Sequence, residues 1–375
     1  MDPSIISQVA KHIGKRNLAN QQDFSIFNPM IILRMILLPF SLIYGCVMMV
    51  RNGLFDKNIK PVTEVGSAVI SVGNLSVGGT GKTPHVEFLL NALSKKYKTA
   101  VLSRGYGRES KGFVKVNANA EVNKVGDEAL NYAQKFEGKV EVAVCEKRVE
   151  GAKQLLAKHP ETEVIVLDDA YQHRYIHRDC NILLTEFNKP FFKDFVLPAG
   201  RLREFRWGKH RADVVIVTKS PSNLSETRKK KFVSRLKLKS TVPIFFSSIT
   251  YGNLVHLEDK TVTSAPKEIL LVTGIGNPQP LISHLKQYSK VTHLKFGDHH
   301  DYTVKDIEKI HKLFGNFASA EKIIVTTEKD AVRLMNSKIK TNIQSYPWYY
   351  QAMTVKIEDE NKLLKKIYSY VNTNQ

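Results

Sequence analysis

Residues 73–84 read GNLSVGGTGKTP, directly after an apolar run at 68–72 and directly before HVEFLL at 85–90, which suits a helix. Strand, glycine-rich loop and helix form the context of a P-loop. Glycines let backbone N–H groups turn inward around phosphate oxygens, and the helix N-terminus adds partial positive charge. In this reading Ser76, Val77, Gly78, Gly79, Thr80, Gly81, Lys82 and Thr83 hold a nucleotide. Lys82 reaches the β- and γ-phosphates, and the Thr83 hydroxyl ligates Mg²⁺. The strict pattern asks for glycine where Ser76 stands, and Gly78 and Gly79 compensate in part.

A P-loop needs an acidic partner at a neighbouring strand end. The run at 164–167 supplies the strand, and Asp168 and Asp169 close it. One carboxylate is expected to hold Mg²⁺ and the other to assist. Further short apolar runs lie at 99–102, 182–184, 214–217, 269–272 and 323–325, separated by stretches compatible with helices. That alternation predicts an α/β fold, a mostly parallel sheet with helices on both faces. Residues 241–257 read as two extended runs around Tyr251-Gly252-Asn253. They suggest a β linker at 241–266 between a nucleotide domain at 65–240 and a second, smaller α/β domain at 267–375.

The remaining composition bounds the partners. The chain has 375 residues, with 56 Lys and Arg against 36 Asp and Glu, a formal charge of +20. Such an excess points to an anionic partner. The run RKKKFVSRLKLK at 228–239 is a solvated helix face or a contact for anionic lipid. No helix-turn-helix or aromatic-rich signature accompanies it, so nucleic acid is not expected. Cys46, Cys145 and Cys180 are odd in number and far apart, which argues against a disulfide framework and fits a reducing compartment.

The amino-terminal 1–64 reads as a membrane-associating segment. Residues 30–50, MIILRMILLPFSLIYGCVMMV, are long enough as a helix to cross a bilayer. Arg34 and Pro39 weaken a spanning reading, and basic residues flank both ends, so no orientation is favoured. A segment lying in one leaflet fits better. The bland alternative is a buried core helix.

These motifs, in this order, resemble the tetraacyldisaccharide 4′-kinase family. The matching segments are GNLSVGGTGKTP at 73, SRGYGR at 103, VGDEA at 125, LDDAYQHRYIHRDCNI at 167, LPAGRLRE at 197, VTGIGNP at 272, FGDHHDY at 296 and VTTEKDA at 325. The resemblance implies ATP- and Mg²⁺-dependent phosphorylation of the 4′-hydroxyl of a tetraacylated glucosamine disaccharide 1-phosphate, an anionic glycolipid. It also implies a place at the cytoplasmic face of the inner membrane, and two α/β/α domains facing a cleft. A P-loop ATPase driving a membrane-associated assembly, or a kinase of another anionic glycolipid, is the competing reading.

A sugar hydroxyl is a poor nucleophile, so a nearby base helps. VGDE at 125 and DHHD at 298 can each supply one. The family pattern pairs Asp127 with His299 across the cleft; His300 is the rival. DHHD also looks like a metal cluster, but no ligand set completes it. Arg148 and Glu204 match family active-site positions, Arg148 to steady phosphoryl charge and Glu204 beside the metal. His173 and His177 are spaced i, i+4, which suits packing or substrate positioning better than a metal. Arg104 and Arg108, or Arg201 and Arg203, beside tight turns, are candidate clamps for the substrate phosphate.

Overall fold

The run AVISVGN is buried at every position, as expected of a strand covered by helices on both faces. In the computed structural model, which describes residues 29–263, 266–298, 300–335 and 339–373, it forms β1 (Ala68–Asn74) at the centre of the first half. Its neighbours are β2 (Thr99–Ser103), β3 (Val114–Val116), β4 (Val140–Val144), β5 (Val164–Asp168), β6 (Cys180–Glu186) and β7 (Val214–Thr218). They run in the order β3-β4-β2-β5-β1-β6-β7, parallel except for β3. All seven apolar runs read from the sequence are strands.

The strand order changes direction at β1, with β5 on one side and β6 on the other, Val72 opposite Asp168. In open α/β sheets such a switch point opens a crevice at the carboxyl ends of the strands. The loop after β1 and the acidic pair after β5 therefore meet there.

Amphipathic helices cover both faces. The first helix, α1 (Pro29–Asp56), precedes the sheet, and α2 (Lys82–Leu93) follows the glycine loop. On α2, Val86, Leu89, Leu90 and Leu93 are wholly buried, each worth about 1.5–3 kcal/mol of transfer free energy. Beside them packs α3 (Asp127–Lys135), through Ala129, Leu130, Tyr132 and Ala133. The opposite face is covered by α4 (Arg148–Lys158), through Ala152 and Leu155. The basic run becomes α5 (Glu226–Leu236), which buries Phe232 and Leu236 and leaves its cations outward, except Lys229, held by Glu226 at 2.8 Å and Glu358 at 2.6 Å.

The linker differs from the expected pair of runs. It is one 13-residue strand, β8 (Ile244–His256), continuous through Gly252. Its start pairs in parallel with β7. Its remainder pairs antiparallel with a strand from the far end of the chain, β13 (Trp348–Ile357). A short β9 (Val262–Thr263) edges it. The second half is β10 (Glu268–Thr273), β11 (Lys290–Lys295) and β12 (Lys322–Thr327), ordered β11-β10-β12-β13 and parallel. Helices α6 (Gln279–Leu285), α7 (Val304–Gly315) and α8 (Glu328–Leu334) cover it.

The boundary at 267–375 also needs correction. The last helix, α9 (Glu360–Asn372), buries Leu363, Ile367 and Val371 in the core of the first half, against β1 and α2. An amphipathic pattern announces an apolar face but not which sheet receives it. The chain leaves the first half through β8 and returns through β13.

α1 runs unbroken through Pro39 and is not a core helix. Met35, Ile36, Phe40, Leu42, Ile43 and Val47 are at least 60% exposed. From Ile32 to Asp56 it is long and apolar enough to cross a membrane. Its carboxyl-terminal half is docked. Tyr44 donates to the Arg203 carbonyl at 3.1 Å, Arg51 to the Gln172 carbonyl at 3.1 Å, and Ser41 accepts from the Ala199 N–H at 2.9 Å. Gly45 lies against the Phe205 ring so closely that any Cβ would collide with it.

Candidate active site

The glycine loop ends at Gly81, whose φ of +86° is left-handed and open to glycine without strain. There α2 begins, with Lys82 and Thr83 in its first turn. The loop is braced from several sides. Asn74 Nδ2 donates to Thr80 Oγ1 at 2.6 Å, Thr218 Oγ1 to the Thr80 carbonyl at 2.8 Å, and Lys219 Nζ to the Gly79 carbonyl. His85 Nδ1 contacts the Gly81 carbonyl at 2.7 Å and its Nε2 contacts Ser247 Oγ on β8 at 2.8 Å. Burial holds His85 near a pKa of about 4, so the ring is a neutral bridge. Ser76 and Val77 lie apart from the turn itself. Ser76 bridges Leu202, and the Val77 N–H is spent on the Arg201 carbonyl at 2.7 Å. Of the expected nucleotide residues, Gly78, Gly79, Thr80, Gly81, Lys82 and Thr83 remain in the turn and the first turn of α2.

Lys82 Nζ lies 3.5 Å from Asp169 Oδ2. Asp169 itself has a φ of +47° and is gripped by Arg203 through two bonds of 2.9 and 3.0 Å. Asp168 ends β5, 1% exposed, and accepts from the Tyr132 hydroxyl at 3.1 Å. Burial, then the Asp169 charge, push Asp168 up to about 6. Its Oδ1 is buried with no hydrogen-bond partner. Glu128 accepts from Thr83 Oγ1 at 3.4 Å, and burial, then Asp168 and Asp127, push it up to about 8. Hard oxygen donors crowded beyond their own charge balance, one of them unpaired, suit a Mg²⁺ ion. Among the described residues no three His, Cys, Asp or Glu cluster as a cage.

Two further expected site residues are buried and engaged by protein groups. Glu204 is 2% exposed and fully engaged: Asn52 donates to it at 2.7 Å, Gln172 at 3.0 Å and Arg211 at 2.7 Å. It ties α1 to the loop after β5, and both its oxygens accept from these side chains. Arg148 is buried beneath the acidic turn, donating to the carbonyls of Cys145 at 2.8 Å and Asp168 at 3.2 Å. Burial lowers its pKa to about 10 against the pull of Asp168 and Asp169. It shapes the Asp168 turn from behind.

Asp127 opens α3 and faces the second half. Arg333 Nη2 donates to its Oδ2 at 2.8 Å, and Lys329 Nζ lies 3.9 Å from the same oxygen. His299 lies outside the described residues. Its rival His300 is committed to Asp306 at 3.1 Å and tilts against the Phe296 ring. Of the proposed phosphate clamps, Arg108 is taken by Glu146, Arg201 by Asp194 and Arg203 by Asp169, while Arg104 is exposed. His173 and His177 lie in irregular backbone, not on a helix. Burial, then Arg148, Arg51, Arg178 and Arg104, lower His173 to about 4. Sequence reasoning missed Glu128, Tyr132, Lys219, Lys329 and Arg333. The last two had a signal, an i, i+4 cation pair overlapping VTTEKDA.

A P-loop opening α2 at a sheet switch point, with an acidic strand end beside it, defines a P-loop phosphotransferase. Comparison with known proteins narrows this. Residues 33–372 match the tetraacyldisaccharide-1-P 4′-kinase family. The tetraacyldisaccharide 4′-kinase of Cytophaga hutchinsonii is 42% identical over 342 residues, 90% of this chain and 96% of the relative. That of Flavobacterium johnsoniae is 44% identical over 319 residues, 84% and 92%. A crystal structure of LpxK from Aquifex aeolicus in complex with ATP matches at a TM-score of 0.71 and 32% identity, covering 90% of this chain and 99% of that one. The chain belongs to the tetraacyldisaccharide 4′-kinase family. It is thereby an ATP-dependent kinase of lipid A biosynthesis that transfers a phosphoryl group to an alcohol, and the reading as an assembly ATPase falls away.

Proposed function

We propose that the chain binds ATP on residues 78–83 and transfers its γ-phosphoryl group to the 4′-hydroxyl of a tetraacyldisaccharide 1-phosphate presented at a membrane surface. The observation that carries this reading is the meeting of Lys82, Thr83, Asp168 and Asp169 at the ends of β1 and β5. Lys82 neutralises β- and γ-phosphate charge as it develops. Thr83 and Asp168, with Asp169 alongside, would hold Mg²⁺, which would supply charge neutralisation on the nucleotide phosphates. Asp169 keeps Lys82 placed, and Arg203 keeps Asp169 placed. Asp127 takes the proton of the attacking hydroxyl, with His299 as its partner in the dyad that the family pattern implies.

The lipid acceptor accords with α1. Its exposed apolar face enters one leaflet at the cytoplasmic face of the inner membrane, while its docked end reaches the site through Tyr44, Arg51 and Asn52. The net positive charge suits both an anionic leaflet and an anionic substrate. No role for nucleic acid enters this reading. The test is transfer of label from γ-labelled ATP into tetraacyldisaccharide 1-phosphate, in detergent with Mg²⁺. Label in the lipid, lost by about 10²–10³-fold in Lys82→Ala, supports the reading. Label released only as free phosphate overturns it.

A further inference from the structure

The Asp127 carboxylate is 5% exposed, and two cations that reach it, Lys329 and Arg333, come from the other half of the chain. Lys329 and Arg333 are i, i+4 on α8, so one helix face presents them together. Both address the same oxygen, Oδ2. Arg333 does more. Its other terminal nitrogen, Nη1, donates to the His300 carbonyl at 3.3 Å. One guanidinium therefore joins the carboxylate at 127 to the main chain of the DHHD loop.

The helix that carries Arg333 is itself pinned. Thr327 caps it, accepting from the Asp330 N–H at 3.1 Å. Asp330, wholly buried, accepts from the Thr327 hydroxyl at 2.7 Å and from the Gly274 N–H at 3.0 Å. A planar guanidinium on a fixed helix sets two acceptors at a defined separation, which a lysine ammonium does not. Arg333 is only 12% exposed, so the pair is largely withdrawn from water and screening.

We propose that Arg333 is a positioning residue for phosphoryl transfer, fixing the Asp127 carboxylate relative to the main chain at His300. This rests on the reading of Asp127 as the group that handles the hydroxyl proton. Arg333 acts through Asp127 and does not touch the reacting atoms. Its role follows from tolerance: a reacting group displaced by about 1 Å costs on the order of 10²-fold in rate. The rival view makes the contact a latch that masks Asp127, in which case removing Arg333 speeds turnover.

The experiment measures kcat and KM on the full chain in detergent with tetraacyldisaccharide 1-phosphate and MgATP. The variants are Asp127→Ala, Arg333→Ala, Arg333→Lys and the Asp127→Ala/Arg333→Ala double variant, each checked by melting with and without ATP. Arg333→Ala is expected to lower kcat by about 10²-fold with KM for ATP nearly unchanged. Arg333→Lys falls between it and wild type. The double variant is no slower than Asp127→Ala alone, because the arginine works through that carboxylate. A wild-type or higher kcat in Arg333→Ala, or losses that multiply in the double variant, overturns the inference. If Arg333→Ala does not fold, a folded Arg333→Lys with wild-type kcat overturns it. Wild-type kcat in Asp127→Ala overturns the reading of Asp127 itself, whereas an inactive Asp127→Ala beside an unimpaired Arg333→Ala overturns only the role of Arg333.

Discussion

Asp168 and Asp169 are consecutive in the chain and opposite in electrostatics. Asp168 is driven up to about 6 by burial and by its neighbour's charge. Asp169 is held below the usual carboxylate range: burial opposes its charge, but Lys82 and then Arg203 outweigh burial. The difference comes from direction. The strand end points Asp168 into the sheet core beside Tyr132, and the left-handed backbone at 169 turns the next side chain toward the cations.

The pair should therefore separate under mutation. Asp168→Asn removes a buried charge that the fold disfavours, so it melts at or above wild type at pH 8. Its kcat nonetheless falls by about 10²-fold or more, because under the proposed function Asp168 would hold Mg²⁺. Asp169→Asn leaves Arg203 and Lys82 without their counter-charge and melts lower. Thermal melting beside the transfer assay decides it; equal melting shifts in the two variants would refute the assignment.

Glu204 gives the complementary case. Its carboxylate balances Arg211 and receives Asn52 and Gln172 out of water. Glu204→Ala is expected to cost about 3–5 kcal/mol of stability by stranding the buried arginine. The Mg²⁺ concentration at half-maximal rate should stay unchanged. Denaturant unfolding and a Mg²⁺ titration read the two quantities, and a shifted Mg²⁺ requirement with normal stability would return Glu204 to the metal.

The cleft also has a pH-sensitive contact. Lys135 on α3 bridges Glu87 on α2 at 2.6 Å and Glu328, at the start of α8, at 2.9 Å. Burial raises Glu87 to about 7; Lys135 opposes this and Glu328 adds to it. The folded chain thus holds a proton that an unfolded glutamate releases near 4.5. That contribution to stability is complete below the unfolded value and is lost as pH rises through about 7. Glu87→Gln mimics the protonated form, so its melting temperature should gain on wild type between about pH 5 and 8. A difference that stays constant across that range would contradict the account.

On α1, Ile36, Phe40, Ile43 and Val47 follow helical spacing and are all at least 60% exposed. Burying each in lipid is worth about 1.5–3 kcal/mol. Replacing all four with serine should weaken binding to anionic phospholipid vesicles by at least about 10³-fold, leaving ATP binding intact. Co-sedimentation measures this, and undiminished pelleting would place the membrane contact elsewhere.

The legible parts of the sequence were those with local causes. Parallel strands buried on both faces leave continuous β-branched runs, so β1, β5 and β7 could be read directly. The phosphate turn was legible because glycine geometry is local to Gly81. What escaped depends on distant partners. The long β8 passes from buried Phe245, Phe246 and Ser247 to exposed Gly252 and Asn253, and only its pairing with β13 makes it one strand. Glu204 shares a motif with Arg203, but its role is set by Asn52 and Arg211 on other segments. Arg333 gains its meaning from Asp127, far away in sequence on the other half.

The strand β8 has a mechanical consequence. A loop connecting two bodies lets them swing freely, but a paired strand resists bending in the plane of its hydrogen bonds and yields mainly by twisting. The two-stranded ribbon of β8 and β13 is therefore a torsion bar, softest where its register shifts between Gln351 and Met353. The nucleotide loop grips one end through His85 and Ser247, and the sheet carrying Arg333 is mounted on the other. Any rotation of one half against the other therefore has to twist that ribbon rather than bend a hinge loop.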